Sequence, residues 1–113
     1  MTNYSKGHQA ELVAAEYLSS KGFKIIDMNW KNSLAEIDII AEIEGVIFFV
    51  EVKYRTTTLQ GRGIDYVTDK KIKQMSFAAE MWVSNNNWGG DYQLSAIELS
   101  GKDFEVTNFV QDL

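Results

Sequence analysis

Between Lys6 and Lys21 apolar side chains recur at three- and four-residue spacing, at Ala10, Val13, Ala14, Ala15, Tyr17 and Leu18. That period lays them on one stripe of a helix, and Lys21-Gly22 supplies the stop. Phe23 to Trp30 carries Ile25-Ile26 just after the glycine and predicts a first strand. From Glu36 the pattern changes to alternation, Glu36-Ile37-Asp38-Ile39, and runs to Ile43; after Glu44-Gly45 a β-branched and aromatic run extends from Val46 to Tyr54. Those two segments predict a hairpin. Thr56 to Gly63 has no period and reads as a loop. Val67, Lys71, Met75, Ala78 and Trp82 share a helical stripe with Ile72, Ala79 and Val83 beside it, which predicts a second helix from about residue 66 to 84. Tyr92 to Leu99 and Phe104 to Phe109 read as short strands around the turn Ser100-Gly101-Lys102-Asp103. The order is helix, three strands, helix, two strands, in one α/β unit over residues 1–113.

The hairpin fixes a register. With Glu44-Gly45 as a two-residue turn, Ile43 pairs with Val46 and the pairing continues outward one residue at a time. One face then sets Ile37 against Val52, Ile39 against Val50, Ala41 against Phe48 and Ile43 against Val46, and is expected to be the core face. The other sets Glu36 against Lys53, Asp38 against Glu51, Ile40 against Phe49 and Glu42 against Ile47. Two carboxylates opposed at about 5 Å between Cβ atoms destabilise a sheet unless a cation sits between them. Oxygen donors without thiolate or imidazole are hard ligands, suited to Mg²⁺, Mn²⁺ or Ca²⁺ rather than zinc. Lys53 lies two residues beyond Glu51 on the same face, in reach of whatever the carboxylates hold. Glu11, on the stripe of the first helix, is expected to supply a third carboxylate. The plainer explanations are ion pairs of Asp38 and Glu51 with Lys53 and Arg55, and, for Glu11, the preference of a first helical turn for acids.

The protein has 113 residues, 45% hydrophobic and 24% charged, enough to bury a core without staples. It has no cysteine and one histidine, His8, which excludes disulfides, a thiolate nucleophile and cysteine- or multi-histidine zinc sites. Its longest apolar run, Val46 to Val50, is far short of a membrane span, and the opening Met1 to Lys6 has no secretory apolar region, so a cytoplasmic protein with no membrane partner is expected. Sixteen acids against eleven bases leave a net charge of −5, which argues against indiscriminate nucleic-acid binding. The charge is uneven. Residues 53–73 hold Lys53, Arg55, Arg62, Lys70, Lys71 and Lys73 against Asp65 and Asp69, directly after an acidic stretch. Acids to hold metal beside bases to hold phosphate is what a polyanion-processing site needs, although a basic run is often only a solvated helix face. Lys71 is the foremost expected phosphate contact because it falls on the inward stripe, with Arg55 and Arg62 behind it. Tyr54, Trp30 and Trp88 are expected to pack rather than to stack bases, and His8 to be exposed.

Asp38, twelve intervening residues and Glu51-Val52-Lys53 resemble the PD-(D/E)xK motif of restriction-endonuclease-like nucleases. The likeness extends to Gly7-x-x-Ala10-Glu11, Asn29, Glu36-Ile37-Asp38, Phe49-Val50-Glu51-Val52-Lys53-x-Arg55, Gly61, Val67 and Lys71, which resemble the YraN-like family of uncharacterised bacterial proteins, itself similar to archaeal Holliday junction resolvases. It covers roughly residues 4–99. The resemblance implies an αβββαβ core with a mixed central sheet and flanking helices, and a Mg²⁺ or Mn²⁺ site of Glu11, Asp38 and Glu51 assisted by Lys53. It further implies hydrolysis of phosphodiesters in DNA, branched DNA included, and a homodimer would suit paired cuts. Ala35 stands where the family usually has glycine, and Gln93 and Ser95 where it often has Arg and Asp, from which an altered substrate or partner contact is expected. A non-catalytic DNA-binding or protein-interaction module is the alternative function.

Overall fold

The computed structural model describes residues 3–56 and 67–113. Gly61 and Arg62, and most of the expected loop, lie outside the described residues. Helix α1 spans Asn3–Ser20 and presents Ala10, Ala14, Ala15 and Leu18 to the sheet, all buried. Three alanines on that stripe let the helix approach closely. It ends as Lys21-Gly22 foretold: Gly22, at φ +97°, donates to the Ser19 carbonyl while Phe23 N–H donates to that of Leu18. That is the Schellman arrangement, which needs a left-handed residue. The helix begins three residues before the expected Lys6, so Glu11 lies two turns inside it and owes nothing to first-turn dipole effects.

The strands are β1 (Lys24–Lys31), β2 (Glu36–Ile43), β3 (Val46–Arg55), β4 (Tyr92–Ser100) and β5 (Glu105–Val110), in spatial order β1-β2-β3-β4-β5. All neighbours are antiparallel except β3 and β4, whose parallel pairing is made by the crossover through helix α2 (Asp69–Asn85). The result is the mixed α/β architecture with the αβββαβ order that the sequence implied. Helix α2 starts later than expected. Thr68 caps it by accepting the Lys71 N–H at 3.1 Å, leaving Val67 outside.

Both faces of the sheet are buried. Under α1 lie Ile39, Ala41, Phe48, Val50, Ile97 and Leu99; on the other face Ile37, Ile40, Ile47 and Phe49 pack against Ala78, Ala79 and Trp82 of α2. The expectation of a single core face in the hairpin is therefore corrected. Central strands covered on both sides read as near-continuous apolar runs, as Val46 to Val50 does. Ile37 is corrected as well, since it packs under α2 and not beside Ile39. In β1, Met28 packs on the α1 side and Trp30 on the α2 side, with Asn29 between them at φ +56°. Two residues apart in a regular strand share a face, so the left-handed Asn29 rolls β1 over, and β2 rolls with it about Asp38 through the pairs Met28–Ile39 and Trp30–Ile37.

Candidate functional site

The β2–β3 turn sets the register as expected. Glu44 and Gly45 have φ of +51° and +80°, the pattern of a type I′ turn, and the ladder runs from Ile43–Val46 to Ile39–Val50. There it stops. Continued two residues further, the register would deliver the Val52 N–H to the Ile37 carbonyl; the rolled β2 instead offers the Asp38 side chain, whose Oδ2 accepts that N–H at 2.8 Å. Asp38 thus lies against β3 where the strands part, within hydrogen-bonding reach of the Glu51 carboxyl and within the field of Glu11. The hairpin register brings the expected pair together, while the strict Asp38–Glu51 ladder pair is replaced by a side-chain bond to the next backbone N–H.

Electrostatics at this point are unfavourable. Burial, then the Glu51 charge, push the Asp38 carboxyl up to about 8, with Glu11 adding to the rise and the Val52 N–H opposing it. A protonated Asp38 can donate a hydrogen bond to Glu51. Burial also raises Glu11, partly offset by a hydrogen bond from Asn29 and by His8, whose Nδ1 stands 3.7 Å from Glu11 Oε1, while Glu36 adds repulsion. Four acids from one helix and two strands, Glu11, Glu36, Asp38 and Glu51, are therefore linked through one another's fields, Glu36 acting on Glu11 and both Glu11 and Glu51 on Asp38.

Two cations border them. Lys71 Nζ lies 2.9 Å from Glu51 Oε2, so the residue expected to meet phosphate rests on a carboxylate of the site. The Thr68 cap fixes the backbone from which it reaches. Lys53 is exposed, two residues along β3 from Glu51. Arg55 is placed differently from its expected phosphate role. Its Nε donates to Glu98 Oε2 at 2.6 Å, and Glu98, only 5% exposed, also accepts from the Thr107 hydroxyl at 3.1 Å. That cluster belongs to the packed sheet, and a buried acid on β4 has no sequence signal of its own.

The remaining expectations sort by packing. Tyr54 donates to the Gly101 carbonyl and stacks on Phe104, Trp88 donates to the Asp91 carbonyl, and Trp30 packs under α2. Ser95 is fully buried beside Val50, with its hydroxyl lacking a hydrogen-bond partner, so an altered substrate contact there is corrected. Gln93 lines a cavity on the α1 side, near the opposite end of β3. Ala35 takes no left-handed φ; its N–H donates to Asn32 Oδ1 at 2.9 Å and β2 begins at Glu36 as expected. Asn29 is the partner that site reasoning left out, although asparagine's tolerance of positive φ was a readable signal.

Among the described residues, no three acid or imidazole groups are drawn together closely enough to hold an ion as they stand. By chemistry the donors nevertheless fit a hard divalent cation: all are carboxylates, burial and the Glu51 charge hold the Asp38 carboxyl up where a cation would lower it, and Glu51 already pairs with the Lys71 ammonium. No described helix is long and apolar enough to cross a membrane.

Proteins of several bacteria are similar along most of the chain. A UPF0102 protein of Sulfurihydrogenibium sp. (strain YO3AOP1) is 39% identical over 110 residues, covering 96% of both chains. One from Cytophaga hutchinsonii is 32% identical over 106 residues and 94% of both, and one from Clostridioides difficile 42% over 87 residues, 77% of this chain and 76% of the relative. With residues 10–106 matching the uncharacterised protein family UPF0102, the family of the YraN proteins, the chain belongs to that family.

Proposed function

We propose that this protein is a metal-dependent nuclease that hydrolyses DNA phosphodiesters at the end of the β2–β3 hairpin. The observation that carries the reading is the hydrogen bond from Val52 N–H to Asp38, which holds that carboxyl against Glu51 and in the field of Glu11. An acid that burial and a neighbouring carboxylate keep protonated is ionised more readily when positive charge is added beside it. Glu11, Asp38 and Glu51 would hold Mg²⁺ or Mn²⁺, which supplies Lewis acidity to the phosphate and lowers the pKa of an attacking water.

The chain's own groups do the rest. Asp38 would have to give up its proton to act as a ligand, so metal binding would be favoured by rising pH. Glu51, as a ligand, would give up its ion pair with Lys71, and the Lys71 ammonium would then be available to a nonbridging phosphate oxygen. Lys53 balances charge on the phosphorus oxygens as the water–phosphorus bond forms and the bond to the leaving oxygen breaks. His8 and Asn29 keep Glu11 oriented toward the site. A cleavage assay with ~10 mM Mn²⁺ on duplex, single-stranded, flap and four-way DNA tests this. Cleavage that Glu51→Gln lowers by ~100-fold or more supports it; absence of cleavage on every substrate sinks it. A non-catalytic DNA-binding module is the second reading, favoured by the Lys71–Glu51 pair, which neutralises the ligand set without any ion.

A further inference from the structure

Five large apolar side chains stand well exposed among the described residues, and two of them, Leu34 at 69% and Phe77 at 48%, line one cleft. Its volume is about 230 Å³; Met75 and Ala35 add to its apolar lining, and Lys71, Gln74, Glu36 and Glu51 supply its polar lining. We infer that this cleft receives one unstacked nucleobase next to the phosphate held at Lys71, so that the preferred substrate is DNA with a single-stranded segment at the cut. The inference rests on the reading of DNA as the substrate and names which DNA.

Size, wall chemistry and charge agree on this occupant. Whole small-molecule ligands take roughly 300–1,000 Å³, so the cleft suits one ring system rather than a complete ligand. Its apolar wall is an aromatic ring, a thioether and a leucine, surfaces that pair with the flat face of a base and offer nothing to base edges in a duplex groove. Leu34 is not a loose tip. Its N–H donates to Asn32 Oδ1 at 2.8 Å and the turn closes with Asn32 N–H on the Ala35 carbonyl, so the side chain is presented from a bonded turn. On α2, Lys73 lies one turn before Phe77 and Lys70 one turn before Lys73, all exposed on one stripe. Cations interleaved with an aromatic along a groove are the general means of holding a single strand, the cations following phosphates and the ring taking a base. A chain carrying −5 overall needs such a local arrangement to bind a polyanion at all.

The test is equilibrium binding of fluorescein-labelled dT15 and of a 15-base-pair duplex, at ~50 mM salt with Ca²⁺ in place of Mg²⁺, to wild type, Phe77→Ala, Phe77→Trp and Lys73→Ala. Because Phe77 is half exposed, Phe77→Ala is expected to fold, which its melting curve verifies. Expected is a loss of about tenfold for dT15 in Phe77→Ala, the size of one base–aromatic stack, with Phe77→Trp restoring it and the duplex scarcely affected. Lys73→Ala should weaken both ligands and lower the slope of affinity against salt by about one phosphate's worth. Unchanged dT15 binding in Phe77→Ala, or an equal loss for both ligands, overturns the inference. Wild-type cleavage of plain duplex together with that result would leave the nuclease reading standing alone. Phe77-dependent dT15 binding without cleavage of any substrate would leave the base site standing and remove the nuclease.

Discussion

Strand β3 carries two ion pairs to carboxylates, four residues apart, and they are opposites in every physical respect. At Arg55 the partner Glu98 is buried, the contact is 2.6 Å, and a second donor, Thr107, takes another of its oxygens. At Glu51 the partner Lys71 comes from a helix across an open cleft, at 2.9 Å, and the acid has a second acid, Asp38, as neighbour. A closed, fully bonded pair has nothing left to offer a ligand. An open pair flanked by uncompensated acid is built for exchange. Two pairs that look alike in the motif Glu51-x-Lys53-x-Arg55 therefore divide into a fastening and a site.

The largest effect should come from breaking the fastening. Arg55→Met leaves Glu98 buried without its cation, and unfolding in urea should show a loss of about 3–5 kcal/mol. Lys71→Met, by contrast, should cost less than about 1 kcal/mol, because its pair is partly solvated. Equal costs would erase the distinction between the two pairs.

A smaller effect concerns pH. Folding raises the Asp38 pKa from an ordinary carboxylate value to about 8, so between about pH 4 and pH 8 the folded metal-free protein binds a proton that the unfolded chain has released. Its contribution is present at the acid end and lost as pH rises through about 8. Asp38→Asn keeps an oxygen for the Val52 N–H and removes the charge. Relative to wild type it should gain a few kcal/mol at pH 8 and nothing near pH 4, read from denaturation curves at both values. A constant difference across that range would mean that Asp38 is an ordinary surface acid.

The smallest effect sharpens the open pair. For a Kd near ~1 mM, ~10 mM Mn²⁺ should stabilise wild type by about 1.4 kcal/mol and raise Tm by several degrees. Lys71→Met removes the competing ammonium and should respond more strongly; Glu51→Gln should respond less. Should Lys71→Met respond less than wild type, the lysine would be a supporter of the ion and not its rival.

The sequence by itself determined the elements, the turn and the hairpin register. Those depend on local chemistry: a three- to four-residue period for α1, a glycine at its end, and Glu44-Gly45 to close a two-residue turn. The register then named Asp38 and Glu51 as neighbours, and the family likeness added Glu11 and Lys53. What only the tertiary structure decided was where each charge finds its partner. Arg55 and Lys71 both looked like phosphate ligands, yet the first meets Glu98 on β4, 43 residues on, and the second meets Glu51, 20 residues back, because the crossover through α2 brings those distant stretches of chain together. The roll of β2 at Asp38 likewise follows from Asn29 on the neighbouring strand, and the cleft of Leu34 and Phe77 from packing α2 over the end of β2. Periodicity reports which residues share a face of their own element; the field and the room at a site depend on which other elements that face meets.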